Sequence, residues 1–497
     1  MRTGLKARLQ RLSWAEWGIL LILVLGIALR LVDASDAPLD FHPTRQLHNL
    51  LVARSIYYQL LPPSDAERQE LAIGFRNAVG QYEPPLIESL VALTWYLIGQ
   101  ENFVIPRLWE TFFWALGGMA LAGIVRRFLS EWAALASLAY FMVLPFAVQA
   151  SRSFQPDPLM TSLFVIGVYF LFRWAEDPRY RRAILAGAVL GLATLVKIVI
   201  AFLVAGIAIA LVWTMYGRRF WKVPQVWLLA FLMIAPSFAY YILAHAGRAS
   251  EYFSVWTLDL LFLVTQTKFY ARWLSFIGNL FGLTVFFLSL AGTILAPARL
   301  RIGLIGLWVG YFLYGLTLPF QAYTHSYYHL QLVPVISLGL APLFDLLTAR
   351  LASQPLRWRL AFLALAAFVV GYHAYVARSI LVAEDFRAEA RAWQKIGAAL
   401  PKGKIIALTQ DYGYRLMYWG WRKVELWPYE TELSQLRGNK SPAESFAERV
   451  AGKDYFLVTA FGELERQPQL KQLLSRYPVL AQGDGFVLYD LRHPVSP

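Results

Sequence analysis

The sequence predicts a polytopic α-helical membrane protein with about eleven spans, interfacial helices in its first outer loop, and a small C-terminal α/β domain on the outer side. Three observations predict it. The 497 residues are 58% hydrophobic and only 16% charged, where a soluble domain carries roughly a quarter charged residues. Many segments reach the roughly 20 apolar residues that a span requires, among them WGILLILVLGIALRLV and FIGNLFGLTVFFLSLAGTIL. After about residue 380 the pattern changes to short β-rich runs alternating with amphipathic stretches.

The first apolar run follows Arg2, Lys6, Arg8 and Arg11, as a signal peptide would. It has no small-residue cleavage site and further spans come after it, so it reads as a retained helix over about 14–32. The segment 33–83 is too polar to span and reads as an outer loop with an amphipathic helix over about 44–60. Next comes EPPLIESLVALTWYLIGQEN, whose apolar core of about 14 residues is short for a span and begins at a double proline.

Loop charge decides between an interfacial and a spanning reading of 86–99. If the segment lies on the surface, Arg126 and Arg127, Arg173 and Arg179 to Arg182, Arg218, Arg219 and Lys222, Arg299 and Arg301, and Arg350, Arg357 and Arg359 all fall inside. That is the distribution the positive-inside rule demands, so 86–99 is read as interfacial. The spans are then about 14–32, 104–125, 131–149, 157–175, 183–197, 198–216, 226–244, 275–296, 302–318, 330–349 and 359–377. The N-terminus is inside and the C-terminus outside. Lys197 interrupts a continuous apolar run and is placed at an outer turn, because a lysine at the bilayer centre costs about 3 kcal/mol or more. Residues 1–380 form the transmembrane domain. Residues 381–497 form the extracytoplasmic accessory domain, with helices at RAEARAWQKIGAAL, PAESFAERVAG and ERQPQLKQLLSRY and strands at KGKIIALT, DYFLVTAF and GFVLYDLR.

There is no cysteine, which removes disulfides and thiolate metal sites. The net charge of +14 is accounted for by basic loops between spans, so no nucleic-acid partner is expected. On the outer face the loops hold Asp40, His42 and Arg45; Glu83; Arg107; Arg152 and Asp157; Lys197; and the THSYYH stretch with His325, Tyr327, Tyr328 and His329. Ionisable groups near helix ends are often snorkelling anchors, which suits isolated cases such as Arg152 or Lys268. Acids and bases in every outer turn fit a lipid phosphate substrate better. A carboxylate can take a proton from an attacking hydroxyl, and lysine and arginine can hold a phosphate leaving group. Asp40, Glu83 and Asp157 with His42 also form an oxygen and nitrogen set open to a divalent metal ion, although no residue is assigned to one.

Asp40 after the first helix, YEPPL at 82–86, G-x-x-N-F…R at 99–107, Q-P-D-P at 155–158, GLATLVK at 191–197 and H-x-Y-Y at 325–328 occur in an order that resembles the GT-C glycosyltransferases, in the branch of protein O-mannosyltransferases and the lipid A aminoarabinose transferase. The resemblance covers about 1–340. It implies an inverting hexosyl or pentosyl transferase in the cell membrane. The donor would be a sugar on a polyprenyl phosphate, and the acceptor a lipid, glycan or protein hydroxyl at the extracytoplasmic face. It also implies Asp40 as catalytic base or acceptor-positioning carboxylate, Asp157 as a supporting catalytic acid lining the same cavity, and Arg107 and Lys197 on the donor phosphate. His42, Arg45, Glu83, His325, Tyr327 and Tyr328 are the expected substrate contacts. Two positions depart from the family. An acidic pair often follows helix 1, whereas Asp40 is followed by Phe41 and His42, leaving Asp33 and Asp36 as rivals for the base. Glu83 stands before the double proline where a lysine or histidine is frequent. The other functional classes considered are a lipid-linked-glycan transporter or flippase, which needs midplane charges and internal repeats, and an O-antigen-type ligase or polymerase.

Overall fold

The computed structural model describes residues 13–62, 65–80, 82–245, 257–431 and 441–495. The basic N-terminal residues Arg2 to Arg11 lie outside these. By internal contacts the chain divides into one unit of Met1–Ala34, Tyr82–Ile87 and Val104–Ala383 and another of Ser35–Gln81, Glu88–Phe103 and Glu384–Pro497.

The first unit is helical. Among the described residues, seven helices are long and apolar enough to cross a membrane, or nine if each of two bent pairs is one span. The expected eleven are therefore not all full-length straight spans. The segment expected at 131–149 is Glu131–Val143 followed by Pro145–Arg152 at a bend of 59°. Pro145 has no N–H to continue the hydrogen-bond ladder. The segment expected at 275–296 is Thr267–Phe281 followed by Leu283–Leu295 at 91°. Gly282 makes that corner with φ +83, a region open chiefly to glycine. The two remaining expected spans are Trp14–Arg30 and Tyr180–Val196, each 17 residues and so short of the usual length.

Trp14–Arg30 starts at a capping box, in which Ser13 Oγ accepts the Glu16 N–H and Glu16 accepts the Ser13 N–H at 2.9 Å. Elsewhere in this unit small residues let helices meet backbone to backbone, as membrane helices commonly do. A Cβ built on Gly206 would stand 2.1 Å from the Gly306 carbonyl oxygen, and one on Gly292 would stand 2.0 Å from that of Gly339.

In the second unit the helices Pro43–Leu60 and Ala66–Val79 and most of the 13-residue apolar helix Leu86–Ile98 join an α/β fold. Pro43–Leu60 buries not only Leu47, Leu50 and Leu51 but also Gln46, His48, Asn49, Arg54 and Ser55. Arg54 shows how these polar groups are accommodated. It pairs with Glu101 at 2.8 Å, donates to the Tyr418 carbonyl, and lies between the Tyr418 and Trp421 rings at 3.7 and 4.5 Å. Burial disfavours the Arg54 charge, but Glu101 and Tyr418 outweigh it and hold the guanidinium above its ordinary pKa.

The five-stranded sheet runs β2-β1-β3-β5-β4, with β1 (Ile405–Leu408), β2 (Glu425–Leu426), β3 (Tyr455–Val458), β4 (Val479–Gly483) and β5 (Phe486–Asp490). Strand β1 is parallel to both β2 and β3, while β5 is antiparallel to β3 and β4. The three expected strands became β1, β3 and β5. The two-residue β2 and the exposed β4 carry no hydrophobic run strong enough to be read from sequence. The helix expected at ERQPQLKQLLSRY is two short ones, Phe461–Arg466 and Pro468–Leu474, divided where Pro468 cannot donate.

Candidate active site

In the first unit, Asp157 is the second residue of the helix Pro156–Glu176 and Lys197 caps the C-terminus of Tyr180–Val196. Each charge sits at the helix end whose dipole favours it. Backbone at Lys197 is extended (φ −156, ψ 119), so the apolar run does break there, as the cost of a buried lysine required. The two side chains meet. Lys197 Nζ donates to both Asp157 oxygens at 2.9 and 2.8 Å, with the residues 4% and 1% exposed.

Three more expected residues surround this pair. Glu83 Oε1 is 3.9 Å from Lys197 Nζ. The Tyr327 and Tyr328 rings lie 4.9 and 4.7 Å from the same nitrogen, close enough for cation–π attraction. Those rings are 4.5 Å apart, and His325 stands 5.4 Å from Tyr327 with its Nδ1 2.8 Å from Thr324 Oγ1. Sequence segments from 83, 157, 197 and 325–328 thus converge on one ammonium group, with anionic and aromatic faces around it. Such a group can hold a phosphate oxygen if the anion shares or displaces the carboxylate.

Arg107 belongs to the same unit. Its Nη1 donates to the carbonyls of Asp33 and Ala34 at 3.3 and 2.7 Å. Arg152 is not a snorkelling anchor: it is buried and donates to the carbonyls of Val32 and Asp33. Asp33 itself has φ +52, so the end of the first helix turns in a strained conformation under two guanidinium groups. Sequence reasoning passed over Glu110, fully buried one turn on from Arg107. An acid inside an apolar 25-residue helix was the signal that could have found it.

In the second unit, Asp40 Oδ1 accepts from Gln46 Nε2 at 3.3 Å, and the same amide donates to the Phe41 carbonyl at 2.7 Å. His42 stands at the N-cap of Pro43–Leu60 in the left-handed region (φ +46), its ring edge-on to Phe41. Arg45, one turn into that helix, donates its backbone N–H to the His42 carbonyl at 3.0 Å. The rival acid Asp36 is buried, and its two oxygens accept the N–H groups of Ala37 at 2.7 Å and Phe386 at 3.0 Å. Those bonds give it a structural task, while Asp40 is half-buried. Among the described residues no group of three or more His, Asp or Glu side chains gathers to hold a metal ion, and Asp157 is paired with Lys197 instead.

Residues 82–242 match the family described as dolichyl-phosphate-mannose-protein mannosyltransferase. No curated protein matches the chain. Among solved structures, ArnT from Cupriavidus metallidurans bound to undecaprenyl phosphate is 14% identical, with a TM-score of 0.56 over 96% of this chain and 98% of that one. The oligosaccharyltransferase AglB from Archaeoglobus fulgidus, in complex with an inhibitory peptide and a dolichol-phosphate, is 14% identical, with a TM-score of 0.57 over 90% and 70%. The arabinofuranosyltransferase AftD from mycobacteria is 16% identical, with a TM-score of 0.52 over 97% of this chain and 40% of AftD. Likeness at this level of identity is a likeness of fold, and it extends over nearly the whole chain. The chain has the GT-C membrane fold, which it shares with these ArnT, AglB and AftD structures.

Proposed function

We propose that this protein is an inverting glycosyltransferase that moves a sugar from a polyprenyl-phosphate donor to an acceptor hydroxyl at the extracytoplasmic membrane face. The observation that carries the reading is the buried Lys197 ammonium, held by Asp157 and flanked by Glu83, Tyr327 and Tyr328, in a fold shared with an ArnT bound to undecaprenyl phosphate and an AglB bound to dolichol-phosphate.

The reaction is a single displacement. Asp40 takes the proton of the acceptor hydroxyl, the freed oxygen attacks the anomeric carbon, and the bond from that carbon to the phosphate oxygen breaks with inversion. The electron pair leaves on the polyprenyl phosphate. Lys197 and Arg107 stabilise that developing charge, which a preorganised cation in a dry site does at no reorganisation cost. Asp157 keeps Lys197 in position until the donor arrives. Tyr327, Tyr328 and His325 present stacking faces to the sugar, and Glu83, His42 and Arg45 contact donor or acceptor.

Lipid extracts and surface glycans from cells with and without the gene, compared by mass spectrometry, test this. A polyprenyl-phosphate sugar accumulating without the gene names the donor. Unchanged lipid-linked sugars would count decisively against the reading.

A further inference from the structure

The second unit carries a local backbone strain beside the end of its sheet. Strand β1 has a parallel neighbour on each side, β2 and β3, so the chain leaves it toward one side and returns on the other. In open α/β sheets the crevice outside the carboxyl ends of such strands is where ligands bind. Polar groups line these ends here. Thr459 Oγ1 is 2.9 Å from Thr409 Oγ1 and 2.8 Å from Gln410 Oε1, and the Tyr429 hydroxyl donates to the Thr409 carbonyl at 3.1 Å.

Directly after Gln410 the backbone enters the left-handed region for three consecutive residues, Asp411 (φ +48), Tyr412 (φ +54) and Gly413 (φ +74). Only the last is a glycine. Each of the other two costs roughly 1–2 kcal/mol, and strain of this kind collects at ligand sites. The surroundings impose it from both sides. Thr44 Oγ1 donates to Asp411 Oδ1 at 2.9 Å, and Arg415 donates to Asp411 Oδ2 at 2.6 Å and to Glu389 at 3.2 Å. With Asp411 so held, the turn presents Tyr412, a tyrosine 50% exposed. Thr44 also links the turn to the candidate base, because it stands two residues before Gln46, whose amide bonds Asp40.

We propose that the Asp411–Tyr412 turn is a subsite for a saccharide acceptor, with the Tyr412 ring as its stacking face and the half-buried Gln410 amide, held by the buried Thr409 and Thr459, as its polar edge. The subsite rests on the glycosyltransferase reading, because the bound saccharide is the group that offers its hydroxyl to Asp40. A ring face beside an amide group matches a pyranose, which has an apolar CH face and a hydroxylated rim.

The test uses the full chain in detergent and three probes read by saturation-transfer NMR: a chitin tetrasaccharide, an α-1,6-linked mannotetraose, and a serine- and threonine-rich heptapeptide. At least one saccharide is expected to bind, about tenfold more weakly in Tyr412→Ala and within about twofold of wild type in Tyr412→Phe. Tyr412→Gly removes the strain as well as the ring. It is expected to melt at or above the wild-type temperature while losing the saccharide, which separates the subsite from a folding role. Saccharide binding unchanged in Tyr412→Ala overturns the proposal, as does binding of the peptide alone or of no probe. Undecaprenyl phosphate is titrated in parallel. If it binds all variants equally while the saccharides ignore Tyr412, only the subsite falls; if it does not bind the wild type, the glycosyltransferase reading falls.

Discussion

Lys197 and Asp157 illustrate how a buried pair can be read for both stability and chemistry. Removing one partner strands a charge away from water, which costs about 3–5 kcal/mol, whereas replacing both with apolar groups of similar size is close to neutral. Lys197→Met alone is therefore expected to lower the melting temperature markedly. Lys197→Met with Asp157→Leu should recover most of the loss yet restore no transfer. A double variant that regains activity would remove Lys197 from the donor phosphate. Asp40 belongs to a different test. Asp40→Asn keeps the size of the side chain and its bond to Gln46, so folding is expected to survive while transfer falls roughly 100- to 10,000-fold. Transfer within tenfold of wild type would sink Asp40 as the base. At this scale the sequence already named the polar residues, because charges are rare in apolar runs and each must have a partner. It did not show that Arg107 and Arg152 would spend hydrogen bonds on carbonyls of residues 32–34, since a backbone acceptor leaves no mark in residue identity.

The helices themselves were legible from hydropathy, but their breaks were legible only where a residue type forces them. Lys197 announces its break, whereas 131–149 reads as one span in the sequence although Pro145 removes an N–H and the helix bends there by 59°. Gly282 announces nothing, because the same glycine fits a continuous membrane helix or a 91° corner, and only the neighbouring packing selects φ +83. A Cβ there has room, with Val285 Cγ2 at 3.8 Å, so the obstacle to substitution is conformational rather than steric. Gly282→Ala is expected to cost about 1–2 kcal/mol, seen as a lower melting temperature in detergent. An unchanged melting temperature would mean that the corner tolerates a right-handed conformation. The close crossings at Gly206 with Gly306 and Gly292 with Gly339 answer to the opposite cause, since their conformation is ordinary and a Cβ has no room. In the C-terminal sheet, β1, β3 and β5 were readable as buried β-branched runs. The outermost strand β4 was not, because its exposed residues follow no period-2 alternation.

For the molecule as a whole, the grouping of chain segments constrains how the chain is threaded. Ser35–Gln81, Glu88–Phe103 and Glu384–Pro497 belong to one compact unit with a five-stranded sheet, and a unit that folds together is expected to lie on one side of a membrane. Two consequences follow. The helix Leu86–Ile98 is expected not to cross: its start lies in Tyr82–Ile87 of the first unit, but Ser35–Gln81 before it and Glu88–Phe103 after that start belong to the second, and 13 residues are short for a span. The chain between Phe103 and Glu384 is then expected to cross an even number of times. Among the described residues, nine segments there qualify by length and composition with each bent pair counted as one, and Tyr180–Val196 must then supply a tenth. In the proposed orientation, argued from loop charge, that unit is outside and the basic loop at Arg350, Arg357 and Arg359 inside. The chain has no cysteine, so single introduced thiols report sidedness without background. Asn77→Cys and Ser475→Cys, both at exposed positions of the unit, are expected to react with a membrane-impermeant maleimide in intact cells. Ser353→Cys, exposed in the basic loop, is expected to react only after permeabilisation. Labelling of Ser353→Cys alone in intact cells would invert the orientation and move the proposed reaction to the cytoplasmic face. Labelling of Asn77→Cys without Ser475→Cys would make the number of crossings odd and remove Tyr180–Val196 from the spans.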